Sequence, residues 1–136
     1  MIEDRIGEWA QFRTTVKSLE DVAEYWADIK IIPFNHKIDP YNYNSWPTPW
    51  EIIADNVYDD LTVAIMIGYT IKLIPQFTDS QVEIRTMVDS TRTRLYNLVY
   101  VDNDLVLNYE RGCVVNTQDI PDSFFLENLV DLARPR

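Results

Sequence analysis

Apolar positions change their period along this chain, and the changes mark its elements. Leu19, Val22, Ala23, Trp26 and Ile29 recur at helical spacing and give one apolar helix face. Ser18 stands before them as an N-cap, with Asp21 three positions on, placed to reach back in the manner of a capping box. Upstream, Trp9 to Val16 alternates only in part and reads as a strand or an extended lead-in. Thr48-Pro49-Trp50-Glu51 is a compact helix start, with Thr at N-cap, Pro at N1 and Glu at N3. The short helix that follows runs to about Ala54 and breaks at Asp55-Asn56. Asp59 or Asp60 opens the next one. From Leu61 to Ile71 nearly every residue is apolar, as expected of a helix buried in the middle of its domain. Ala64 and Gly68 leave a smooth stripe for close approach, and Pro75 ends the helix.

The period then falls to two. Val82 to Val88 alternates, with Val82, Ile84 and Val88 apolar around Thr86, and Leu95–Val101 and Leu105–Tyr109 are two further strand runs. Asp102-Asn103-Asp104 joins the last two as a tight hairpin turn, Asn being tolerant of positive φ. Asp122 or Ser123 is placed to cap a last short helix carrying Phe124, Phe125, Leu129 and Val130. The expected fold class is α+β: N-terminal helices including one buried central helix, followed by an antiparallel sheet with a hairpin.

Between the first helices lies a segment with neither period. Pro33, Pro40, Pro47 and Pro49 deny it regular helix, and Phe34, Tyr41, Tyr43, Trp46 and Trp50 lie among them. A loop this aromatic is expected to lie against the body of the protein, and its Tyr, Trp and Asn content is also that of contact surfaces.

Composition narrows the function more than it names it. The 136 residues suit one domain, and 46% hydrophobic content with 12% aromatics excludes a disordered chain. Twelve basic against 22 acidic side chains leave a formal charge of −10, which argues against a duplex-binding surface. The N-terminal residues have neither a basic start nor an apolar core, and the longest apolar stretch, Val63 to Ile67, is far short of a bilayer span. A cytoplasmic protein without membrane or nucleic-acid partner is expected. Cys113 is the only cysteine, so no internal disulfide and no multi-cysteine metal cluster is available.

A buried helix followed by an antiparallel hairpin resembles the transglutaminase-like branch of the papain-like cysteine enzymes. In that family a nucleophilic Cys opens the central helix, a His begins a following strand in a His-Ala-Trp motif, and an Asp ends the next strand. The matching stretches here are Asn56-Val57-Tyr58-Asp59-Asp60 and Arg94-Leu95-Tyr96-Asn97-Leu98-Val99-Tyr100-Val101-Asp102-Asn103-Asp104-Leu105-Val106-Leu107-Asn108. The likeness covers roughly residues 48 to 110. Tyr58 stands at the Cys position, or Asp60 if the register is counted from Ala64; Arg94 falls on the His and Asn108 near the Asp. The framework matches while each catalytic position departs. Arg94 stays protonated and cannot act as a base, and a tyrosine is a poor substitute for a thiol.

Other chemistry is scarce. Cys113 and His36 are each the only residue of their kind; Cys113 is expected to be an inert, semi-buried side chain and His36 a solvated loop residue. Asp55, Asp59 and Asp60 cluster where a helix dipole favours carboxylates, and capping is the expected role of the last two. Arg85, Arg92 and Arg94 form a small basic group expected to balance nearby acids. The three glycines are too scattered for a phosphate loop. The expectation is a non-catalytic protein-binding or assembly module, without cofactor or metal. It would present an aromatic, acid-rimmed surface of Tyr41, Tyr43, Trp46, Trp50 and Tyr58, with Asp59, Asp60, Arg94 and Asn108 alongside. Its acidity and small size are similar to those of small accessory proteins of tailed bacteriophages. Alternatives are an acidic inhibitor or nucleic-acid mimic, and a hydrolase using Asp59, Asp60 or Tyr58 with Arg94.

Overall fold

A computed structural model describes residues 2–35, 37–91 and 93–135. The expectations for His36 and Arg92 therefore lie outside the described residues. Among those described, four helices precede a five-stranded antiparallel sheet, an α+β arrangement. The helices are α1 (Ile2–Thr15), α2 (Leu19–Trp26), α3 (Pro49–Asp55) and α4 (Asp60–Leu73). The strands are β1 (Val82–Asp89), β2 (Arg94–Val101), β3 (Leu105–Leu107), β4 (Val114–Asn116) and β5 (Phe124–Asp131), in the spatial order β4-β3-β2-β1-β5. No helix is long and apolar enough to cross a membrane, among the described residues.

The buried helix is α4. Every residue from Leu61 to Ile71 is buried, between β1 and β2 on one side and α2 and α3 on the other. Asp59 caps it: its Oδ1 accepts from the Thr62 amide at 2.8 Å and from Thr62 Oγ1 at 2.6 Å. At Gly68 the sheet comes so close that a Cβ there would lie 2.6 Å from Leu132 Cδ2. This is the close approach expected of the Ala64/Gly68 stripe. Thr48 and Glu51 form the reciprocal capping box, and Arg5 reaches from α1 to the last carbonyls of α3, Ile53 and Ala54. Ser18 accepts from the Asp21 amide, while Asp21 Oδ2 reaches one residue further back, to the Lys17 amide.

Two elements differ from expectation. Residues 9–15 belong to α1 rather than to a strand, and Val16 follows its end. Ile6, Trp9, Phe12 and Val16 give about one apolar residue per turn, a stripe too narrow to show as amphipathic period, yet Trp9 is only 1% exposed. The last element is a strand rather than a helix. It pairs with the free edge of β1, and its register slips between Thr86↔Asn128 and Met87↔Leu126, leaving Glu127 as a bulge. The bulge breaks the period of two, so Phe125 and Val130 lie on the helix side of the sheet while Leu126 and Leu129 lie on the other.

The β2–β3 turn is as expected: Asp102 and Asn103 both have φ of 53°, and the Asp104 amide closes it onto Val101. β3 is shorter than its apolar run, because Asn108 takes φ of 68° and leaves the ladder.

Candidate functional site

The site grows from the first residue of α4. Asp60 does not cap the helix; its carboxylate reaches across to the sheet. Oδ2 accepts from the Asn97 backbone amide at 3.0 Å and from Asn97 Nδ2 at 3.1 Å. Oδ1 accepts from Asn108 Nδ2 at 3.2 Å and lies 3.6 Å from the Arg111 guanidinium. Asn108 Nδ2 also donates to the Asn97 carbonyl at 2.8 Å, and Asn97 Oδ1 accepts from Thr86 Oγ1 at 2.9 Å. The left-handed backbone at Asn108 that ends β3 is what turns its amide toward Asp60, a conformation Asn tolerates.

Strand parity decides which β2 residue joins this network. Val99 and Val101 pack with α4 in the main core, whereas Tyr96, Leu98 and Tyr100 belong to a second cluster on the other side of the sheet. Asn97 shares the parity of Val99. Arg94 shares that of Tyr96, and its guanidinium lies over the Tyr96 ring, 4.9 Å from the centroid. Asn97, and not Arg94, is therefore the β2 side chain that hydrogen-bonds to Asp60. Arg111 was also missed.

Tyr58 is not at the start of α4 but two residues before it, buried at 5% exposure with its ring 5.9 Å from that of Trp26. Desolvation pushes its phenol up to about 12, and that of Tyr69 likewise to about 12, from the ordinary 10. Both folded values exceed the unfolded one, so the stability these groups contribute is complete below pH 10 and is lost as pH rises toward 12. At roughly 1.4 kcal/mol per unit, each accounts for up to about 3 kcal/mol. Urea unfolding at pH 9, 10, 11 and 12 is expected to show a steep loss above pH 10, blunted in Tyr58→Phe; equal slopes for the two proteins would refute the assignment.

The aromatic loop divides in two. Tyr43, Trp46 and Trp50 are half-buried against the main core, with Trp46 Nε1 donating to the Asp39 carbonyl at 2.7 Å. Only Tyr41 of the proposed aromatic surface is exposed, at 59%, joined by Phe34 at 54%. Tyr41 Oη donates to Glu127 Oε1 at 2.7 Å and Asn128 Nδ2 donates to the Pro40 carbonyl at 3.0 Å, so the loop is strapped to β5. Two hollows flank Asp60. One, of about 200 Å³, is walled by Phe34, Ile38, Tyr41, Leu61 and Leu95; the other, of about 370 Å³, by Arg94, Leu95, Tyr96, Tyr109 and Arg111.

Three solved structures of Legionella pneumophila LapG share this architecture. The EGTA-treated form gives a TM-score of 0.69 at 19% identity, over 93% of this chain and 70% of that one. The calcium-bound form gives 0.69 at 19%, over 91% and 71%. A further LapG structure gives 0.70 at 19%, over 93% and 71%. The fold is transglutaminase-like. No protein-family model and no curated protein matches the sequence.

Asp60 is the first residue of the central helix, and Asn97 on β2 and Asn108 just past the end of β3 both donate to it. An amide side chain neither takes nor gives a proton in the way an imidazole does. Cys113 is exposed rather than semi-buried, and lies two residues beyond Arg111. Arg85, of the basic trio, pairs with Glu83 at 2.6 Å and lies 3.8 Å from the Tyr100 ring centroid, as expected of a charge-balancing residue. No group of three or more His, Cys, Asp or Glu side chains is placed to hold a metal ion, among the described residues.

Proposed function

We propose that this chain is a non-catalytic protein-binding module in which a transglutaminase-like cleft serves recognition instead of acyl transfer. One observation carries the reading: the residue opening the central helix is Asp60, whose two oxygens accept from Asn97 and Asn108 with the Arg111 guanidinium 3.6 Å away. Acyl transfer through a thiol needs the thiol and a neighbour that manages its proton. Here the neighbours are amide donors and a guanidinium, which hold a carboxylate in place and relay no proton. Open hollows on both sides of Asp60, with Phe34, Tyr41 and Leu95 exposed at the first, keep the shape of a binding cleft.

The test compares wild type, Asp60→Ala and His36→Ala, the last removing the chain's one histidine, in peptidase, esterase and amide-transfer assays. All three are expected at buffer background. A turnover present in wild type and abolished by either substitution would overturn the reading.

A further inference from the structure

The two hollows share Asp60 and Leu95, so they adjoin across a common wall and are taken together as a cleft with unlike halves. The smaller half presents three exposed apolar side chains, Phe34, Tyr41 and Leu95, at 54%, 59% and 53%, beside the polar Asp59, Thr86 and Asn97. The larger half carries two guanidiniums, Arg94 and Arg111, against the single carboxylate of Asp60. In a chain of net charge −10 this is a local reversal of sign. Asp60 is already served by three amide hydrogen bonds, and its contact with Arg111 is a long 3.6 Å. Most of Arg111's five donors stay available. Arg94 is exposed and rests on the Tyr96 ring, with no ion-pairing carboxylate among the described residues.

We infer that the cleft takes an extended peptide segment bearing one carboxylate beside an apolar side chain, with Arg94 and Arg111 gripping the carboxylate and the Phe34–Tyr41–Leu95 hollow taking the apolar group. This rests on the non-catalytic reading above and names the partner's chemistry. Guanidinium forks bind carboxylates with directional, charge-assisted hydrogen bonds, and exposed aromatics supply contact area at low entropic cost. One carboxylate matches the single positive charge in excess within the larger half, where Asp60 is the one acidic lining residue. A polyacidic segment does not fit, because the surrounding field repels every further negative charge.

The probe is a random nonapeptide library displayed against the immobilised full chain, followed by fluorescence anisotropy with the selected peptides. Enrichment of an Asp or Glu next to Leu, Phe or Ile is expected. Exchanging that acid for its amide in the peptide, which leaves the protein untouched, is expected to weaken binding about tenfold or more, and Arg94→Gln to do the same. Arg94→Glu is expected to shift preference toward a Lys-bearing peptide. No enrichment, or enriched peptides indifferent to both the acid and Arg94, overturns the inference. The second outcome leaves the binding-module reading standing, whereas turnover in the assays above would remove that reading itself.

Discussion

Replacing Thr70 by valine is expected to cost more stability than any other substitution in this core that preserves volume. Thr70 Oγ1 accepts from Trp9 Nε1 at 3.0 Å and from Trp26 Nε1 at 3.2 Å, and donates to the Met66 carbonyl at 2.6 Å. One hydroxyl thus uses both lone pairs and its proton, and ties α1 and α2 to the buried helix. Thr70 is 0% exposed, Trp9 1% and Trp26 3%, so water cannot stand in without opening the core. Valine keeps the shape and strands two indole N–H groups. At about 1–3 kcal/mol for each unsatisfied buried donor, the loss is roughly 2–6 kcal/mol. Thr70→Ser keeps the acceptor, gives up one methyl, and is expected to lose only about 1 kcal/mol. Urea unfolding of the pair checks this. A valine variant as stable as the serine one would show that the hydroxyl is not what holds the two tryptophans.

The second large effect is expected at Gly68. A Cβ there would meet Leu132 Cδ2 at 2.6 Å, Ile84 Cδ1 at 3.3 Å and Val82 Cγ1 at 3.5 Å. Two effects oppose each other in Gly68→Ala. Alanine gains about 1 kcal/mol of helix propensity, while Leu132, 2% exposed, must swing its end methyl aside in a filled core. The net change is expected to be small. Gly68→Val adds two more methyl groups that face β1 and is expected to lose about 3 kcal/mol or more, since helix and sheet must separate. Trimming the neighbour as well, in Gly68→Val with Leu132→Ala, is expected to return part of that loss. Thermal unfolding of wild type, Gly68→Val, Leu132→Ala and the double variant measures the coupling; additive losses would mean that the contact with Leu132 is not the cause.

Local chemistry with a sharp signature was readable from residues alone. The Thr48–Glu51 capping box, the Asp59 cap, the all-round apolar run of α4 and the Asp102–Asn103 turn each follow from three or four adjacent residues. What was not readable depends on partners far along the chain. α1 shows one apolar residue per turn, and what makes it a helix is the docking of Trp9 on Thr70, 61 positions away. β5 was hidden by its own bulge, which shifts the apolar period midway. At the site, the motif match stops at Arg94, whereas the side chain that bonds to Asp60 is Asn97, which shares the parity of Val99 and Val101. Arg111 sits in an irregular segment after Asn108 and carried no motif. The aromatic loop read as one surface, yet most of it seals the core and only Tyr41, with Phe34, faces outward.

The strap between the loop and β5 has a second consequence, at the margins of the sheet. Edge strands invite other chains to add themselves, and long, flat, apolar edges are the most dangerous. Here one margin is β4, only three residues long. The other is β5, which bears Phe125, Leu126 and Leu129 at 61%, 53% and 40% exposure and would otherwise be a template for aggregation. Its bulge at Glu127 interrupts the register a second copy would have to follow, and the bonds from Tyr41 to Glu127 and from Asn128 to Pro40 lay a loop beside it. The segment that brings an aromatic ring to the cleft also guards the sheet against its own kind.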